Sequence, residues 1–233
     1  MGWEREYKVR VSDCNMCNQT KFSAIWDILQ EAATEHAISF KMGRTEMDAL
    51  GVFWVLSRMK LEVLKYPQYG DSVKVRTRPA GVDKLFFMRE YEVFDMDGEC
   101  IARGMSAWVL VDQNTGRVLR VSQKLPGLSF PYEDEALEKL PVAQETVETN
   151  KIRVEYCDLD INNHTNNTVY IRWAENALMN AEKIRSMEVN YLVQTVLGDE
   201  LTAVRSCEEA DSDTVEILNK DEKTVFRARV YCD

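Results

Sequence analysis

Apolar side chains recur at helical spacing between residues 20 and 38. Phe22, Ile25, Leu29, Ala32 and His36 fall three or four residues apart, the stripe of an amphipathic helix. A second helical pattern runs from about 166 to 184. Elsewhere the period drops to two. Met59, Leu61 and Val63 alternate with Lys60 and Glu62, and Met187, Val189, Tyr191 and Val193 alternate in the same way, so both stretches predict half-buried strands. Residues 86–112 read as two long strands turning at Asp95-Met96-Asp97-Gly98, and 213–233 as a shorter version turning at 219–223.

These elements occur twice in the same order. Lys8-Val9-Arg10-Val11-x-x-Cys14 parallels Lys151-Ile152-Arg153-Val154-x-x-Cys157. Met59 precedes Gly70-Asp71 by the spacing at which Met187 precedes Gly198-Asp199, and 97–108 parallels 221–231 with Arg103 matching Arg227. One helix followed by antiparallel strands, twice over, predicts an α+β chain. A single helix wrapped by a curled antiparallel sheet is a hotdog unit, so the expected architecture is a double hotdog. Its parts are 1–125, a linker over 126–148 rich in Pro and Glu, and 149–233.

Composition narrows the function classes. Of 233 residues 45% are hydrophobic and 29% charged, a soluble globular balance, and no apolar run reaches the length of a membrane span. The opening stretch has no apolar signal core, which makes a cytoplasmic location the expectation. A net charge of −10 offers no basic footprint for nucleic acid. The six cysteines are read as thiols. Cys14 and Cys17 form a lone CxxC with no second pair, and His36 and His164 are distant, so neither a zinc site nor a cofactor is expected. His36, on the apolar stripe, reads as a core or interface histidine, and Trp26, Trp54, Trp108 and Trp173 as core or tunnel wall.

The concentrated chemistry lies in Cys157–Leu178, CDLDINNHTNNTVYIRWAENAL, where small polar residues crowd one histidine ahead of a helix. Asn and Asp in such a place often serve only as caps and turns, a role expected of Asn166 or Asn167. A helix start also offers free N–H groups and a positive dipole end, which suit a developing oxyanion.

The string D-x-N-x-H-x-N-N-x-x-Y-x-x-W, here Asp160, Asn162, His164, Asn166, Asn167, Tyr170 and Trp173, resembles the second-half motif of the acyl-acyl-carrier-protein thioesterases, a plant and bacterial double-hotdog family. LQEAATEHA (29–37), FWVLSRMKLEV (53–63) and GDSVKVRT (70–77) look like its first-half signatures. The resemblance implies hydrolysis of acyl-carrier-protein thioesters to free fatty acid, with acyl carrier protein as partner and no cofactor. His164 would exchange the proton, Asn162 would bind the carbonyl or the water, and Asp160 would activate the water or orient His164. Plant members carry YRREC on the following strand, with catalytic roles given to its Glu and Cys. Here Gln194 and Thr195 stand in those places, and Gln194 is left to orient water through a neutral amide. The first copy has no histidine in its matching stretch, so one site per chain is expected, with the first half holding the acyl tail. An acyl-coenzyme A thioesterase and a non-catalytic acyl-binding module are the competing readings. A homodimer is compatible with the pattern, and Arg172 with Arg185 is the expected docking patch for an acidic carrier.

Overall fold

The computed structural model describes residues 2–178, 183–209 and 212–232. The chain divides into two compact units, Met1–Glu138 and Lys139–Asp233.

The first unit contains strand β1 (Trp3–Lys8), helix α1 (Phe22–Ser39), the short helix α2 (Arg44–Ala49), strands β2 (Val52–Val63), β3 (Ser72–Asp83), β4 (Phe86–Phe94), β5 (Cys100–Asp112) and β6 (Val118–Leu119), and one turn of helix, α3 (Val121–Lys124). Its strands pair antiparallel in the order β1-β3-β4-β5-β2, with β6 added on β5. Helix α1 packs against β1 and β3. The predicted stripe faces inward, since Phe22, Ile25, Leu29, Ala32 and His36 are all buried, with Trp26 beside them. Each large apolar side chain so buried contributes about 1.5–3 kcal/mol. Gly104 of β5 lets the helix approach. A Cβ there would lie 3.3 Å from Leu29 Cδ1 and 3.2 Å from the Lys60 carbonyl.

The second unit contains β7 (Val147–Arg153), α4 (Asn167–Ala177), β8 (Ile184–Tyr191), β9 (Glu200–Glu209), β10 (Ser212–Asn219) and β11 (Thr224–Cys232). The strand order is β7-β9-β10-β11-β8, the same as in the first unit, and α4 packs on β7, β9 and β10. The chain is therefore α+β, a double hotdog, as the repeat predicted. Segment 140–143 is held by buried polar groups of this unit. Arg227 pairs with Glu216 and also donates to the Leu140 carbonyl at 2.8 Å, while the Leu140 N–H donates to Asn190 Oδ1 at 2.8 Å.

Three local expectations need correction. The second helix ends at Ala177, and Ile184 already opens β8; the intervening 179–182 lie outside the described residues. Pairing of Ile184 with Cys232 of β11 puts the last residue of the expected helix into the sheet. Strand β8 also stops at Tyr191, because the Leu192 and Val193 amides both turn to the Val225 carbonyl, at 2.9 and 3.1 Å, leaving Val193 exposed. Leu64 and Lys65 do the same to Ile101 in the first unit, at 2.8 and 3.1 Å.

The third correction concerns register. The K-x-R-V-x-x-C match slips by two residues, because Val9, not Val11, is the partner of Val154. Val9 donates to the Asp71 carbonyl at 2.9 Å and Val154 donates to that of Asp199 at 2.9 Å. Identical letters in a solvent-facing strand carry less positional information than the turn that follows them.

Candidate active site

The polar stretch folds into one tight turn. Leu159 and Thr165 pair as an antiparallel bridge, and the chain reverses between them. The Asp160 amide donates to the His164 carbonyl at 2.8 Å, and the Asn163 amide to the Asp160 carbonyl at 3.1 Å. Asn163 takes a φ of 60°, a left-handed conformation that asparagine tolerates better than most residues. Asp160 holds the turn from inside. Its Oδ1 accepts the backbone N–H groups of Asn162 at 2.7 Å and His164 at 3.4 Å, and its Oδ2 accepts Asn162 Nδ2 at 3.2 Å. Asn162 is exposed and His164 half-buried. None of the described residues hydrogen-bonds the His164 imidazole, which leaves both ring nitrogens for a ligand.

Helix α4 follows at once. Asn166 is its cap, with Oδ1 accepting the Thr168 N–H at 3.1 Å, while Asn167 opens the first turn. Arg172 of α4 pairs with Asp158 at 3.0 Å, so one of the two expected docking cations is already engaged beside the turn. Arg185, the other, is exposed on β8.

The turn is tied to the segment leaving β8. Thr165 N–H donates to the Thr195 carbonyl at 2.9 Å, and the Thr165, Thr195 and Tyr170 hydroxyls meet in a buried cluster. The residue after His164 thus touches the residue after Gln194. Gln194 itself is exposed, and no described residue hydrogen-bonds its amide. Apolar side chains on the two joined segments reach solvent, among them Ile161, Leu192, Val196 and Leu197. The turn therefore holds an imidazole without a hydrogen-bond partner among the described residues, a side-chain amide and a carboxylate, next to exposed apolar side chains. Asp160, Asn162 and His164 come from one turn, and Gln194 precedes Thr195, which bonds Thr165 at the end of that turn.

The first unit builds the same turn with other side chains. Cys14 and Thr20 form the bridge; Asn15 N–H donates to the Gln19 carbonyl at 2.8 Å, and Asn18 N–H to the Asn15 carbonyl at 3.1 Å. Asn15 Oδ1 accepts the amides of Cys17 at 2.9 Å and Gln19 at 3.1 Å, and Asn18 has a φ of 60°. Asn15, Cys17 and Gln19 thus occupy the places of Asp160, Asn162 and His164. The backbone is one design used twice, and only the second copy carries the histidine.

Other polar clusters have structural explanations. His36 is buried and accepts Arg89 Nη1 on Nδ1 at 2.9 Å; burial, and then the Arg89 charge, push its pKa down to about 4, so it is neutral. It is a satisfied core histidine, as expected. The basic residues at 76–78 are offset by cross-strand partners, Arg76 by Glu4 at 2.9 Å and Arg78 by Glu90 at 2.5 Å. Among the described residues no three His, Cys, Asp or Glu are placed to hold a metal ion, and no helix is long and apolar enough to cross a membrane.

Family comparisons agree with the duplication. Residues 2–126 match the acyl-ACP thioesterase N-terminal domain and residues 142–229 the acyl-ACP thioesterase C-terminal domain. The chain belongs to the acyl-ACP thioesterase family. Its turn and Gln194 all lie within the C-terminal domain match. The oleoyl-acyl carrier protein thioesterase 1 of Arabidopsis thaliana, a chloroplastic protein, is 29% identical over 194 residues, covering 74% of this chain and 54% of the relative. The Coriandrum sativum oleoyl-acyl carrier protein thioesterase is 25% identical over 239 residues, 92% of this chain and 64% of the relative. The chain thus spans roughly half to two thirds of the length of these curated relatives. An acyl-ACP thioesterase from Bacteroides thetaiotaomicron shares the fold with a TM-score of 0.86 at 23% identity, covering 100% of this chain and 98% of that one. The 12:0-ACP thioesterase from Umbellularia californica does so with a TM-score of 0.83 at 23% identity, covering 100% and 97%.

The buried hydroxyl cluster escaped the sequence reading. Two threonines and a motif tyrosine are unremarkable letters, and only the fold brings 165 and 170 against 195.

Proposed function

We propose that this chain hydrolyses acyl-acyl-carrier-protein thioesters, releasing free fatty acid and the carrier protein and so ending chain elongation. The observation that carries the reading is the duplicated turn. Two copies with the same backbone differ in that one presents an unpaired imidazole on the turn that also carries Asp160 and Asn162, and that copy lies in the part matched by the family's C-terminal domain.

The groups suit a water-mediated hydrolysis. The His164 imidazole takes the proton of the attacking water and returns it to the departing thiolate sulfur. Asn162 has one Nδ2 proton committed to Asp160, and its second binds the thioester oxygen as charge develops. Asp160, whose carboxylate accepts three N–H groups of the turn, orients His164 through the backbone and places a negative charge near the imidazolium as it forms. Gln194 orients water with an amide that cannot act as a base. The apolar margin of Ile161, Leu192, Val196 and Leu197 suits the start of an acyl chain.

The partner in this reading is an acidic acyl carrier protein, met by a local patch that includes Arg172 and Arg185 rather than by the chain's overall charge of −10. A reducing, cytoplasmic setting and a homodimer remain part of the proposal. Thiol release measured with palmitoyl-carrier-protein and palmitoyl-coenzyme A tests it. Preferential turnover of the carrier-protein substrate is expected. Preference for the coenzyme A ester would make it an acyl-coenzyme A thioesterase, and no turnover of either would leave an acyl-binding module.

A further inference from the structure

The internal repeat separates what the fold needs from what the site adds. In both units a threonine before the helix anchors the polar turn to a carbonyl on the segment leaving the next strand. Thr20 uses its N–H and Oγ1 on the Pro67 carbonyl, at 2.9 and 2.7 Å. Thr165 uses the same two groups on the Thr195 carbonyl, at 2.9 and 3.2 Å. The first unit supplements this pair with a backbone bridge between Gln19 and Gln68, and shows no further side-chain hydroxyl contact at this point among the described residues.

The second unit adds another set of bonds. Thr195 Oγ1 lies 2.6 Å from Thr165 Oγ1 and 2.7 Å from the Tyr170 hydroxyl, and the Thr195 N–H donates to the Tyr170 oxygen at 3.2 Å. The matching residues of the first unit are Pro67 and Ile25, which supply no hydroxyl and, for proline, no N–H. One proton assignment satisfies every group. Tyr170 accepts from the Thr195 amide and donates to Thr195 Oγ1; Thr195 donates to Thr165 Oγ1; Thr165 donates to the Thr195 carbonyl. All three side chains are at most 5% exposed.

Resting on the hydrolase reading above, we propose that Thr195 and Tyr170 are positioning residues that lock the His164 turn to the Gln194 segment, and that Thr195 is not a nucleophile. A lone carbonyl accepts over a broad range of directions, so the shared anchor alone lets a turn rock. The added hydroxyl contacts remove that freedom in the one copy that carries the imidazole, and misplacement of a catalytic group by about 1 Å costs roughly 100-fold. In that proton assignment the Thr195 proton goes to Thr165, the oxygen is buried, and its neighbour Gln194 is a neutral amide that cannot deprotonate it.

The test uses the full chain with Thr195→Val, Thr195→Ser and, as control, Thr20→Val in the equivalent turn of the first unit. Thr195→Val is expected to lower kcat about 10- to 100-fold with KM within about twofold, and to speed amide hydrogen exchange over 159–166. Thr195→Ser should restore both, and Thr20→Val should lower the melting temperature without lowering kcat. Unchanged exchange over 159–166 in Thr195→Val would overturn the positioning role. An acyl group found on Thr195 by mass spectrometry of the quenched wild-type reaction would overturn its exclusion as a nucleophile. Absence of turnover by the wild type would refute the hydrolase reading alone, since exchange reports the turn without any substrate.

Discussion

Asp160→Asn isolates charge from shape, because the chain already contains the asparagine version of this turn. Asn15 Oδ1 holds Cys17 and Gln19 at 2.9 and 3.1 Å, where Asp160 Oδ1 holds Asn162 and His164 at 2.7 and 3.4 Å. The variant therefore keeps both backbone bonds and its fold. What it loses is the contact of Asp160 Oδ2 with Asn162 Nδ2, 3.2 Å long and between groups open to solvent. Such a contact contributes no more than about 1 kcal/mol, which shifts the melting temperature by about 2–4 °C at most. The catalytic loss should be larger. Removing the charge that supports proton transfer is expected to lower kcat at least about 100-fold, equivalent to about 2.7 kcal/mol of barrier. Thiol release from an acyl-carrier-protein thioester gives the rate, and thermal unfolding followed by circular dichroism gives the stability. Asp160→Ala, which removes the turn acceptors as well, serves as comparison. The reasoning fails if Asp160→Asn works within about threefold of wild type while Asp160→Ala is inactive, because the carboxylate would then be only a turn former.

His164→Ala should cost about 100-fold or more in kcat with an unaltered circular dichroism spectrum, and near-normal turnover would remove His164 from the mechanism. Gln194→Ala should cost only about 10-fold, the loss of one transition-state hydrogen bond of about 1.4 kcal/mol; damage equal to that of Asp160→Asn would mean the roles are wrongly divided. Glu216→Ala leaves Arg227 buried without its partner and should destabilise by about 3–5 kcal/mol in urea unfolding, with a loss under about 1 kcal/mol counting against the pair. His36 binds its proton less readily when folded, with a pKa of about 4. Between there and the unfolded value of roughly 6.5 the unfolded chain holds more protons, so stability from this group is full above pH ~6.5 and falls as pH drops toward 4, by about 3 kcal/mol. His36→Gln can still accept from Arg89 and should flatten that part of the pH–stability curve; an unchanged slope would assign it to other groups.

Periodicity alone determined helix α1, because a stripe of apolar residues has one face to bury whatever it packs against. The same holds for β2, and for the β4–β5 and β10–β11 hairpins, where local alternation and turn residues agree with the final pairing. The duplication was visible because two units of one fold must solve the same backbone problems, so Gly70-Asp71 and Gly198-Asp199 recur at equal spacing. The candidate chemistry was equally local. Asp160, Asn162 and His164 belong to one turn whose hydrogen bonds close within five residues. Long-range pairing decided the rest. Partners on β11 set the start of β8, the Val225 carbonyl ended it at Tyr191, and hydrogen bonds rather than matching letters set the register of the repeat. Only the folded chain could bring Thr195 to Thr165 and Tyr170, since contacts that span 25 to 30 residues leave no period in the sequence.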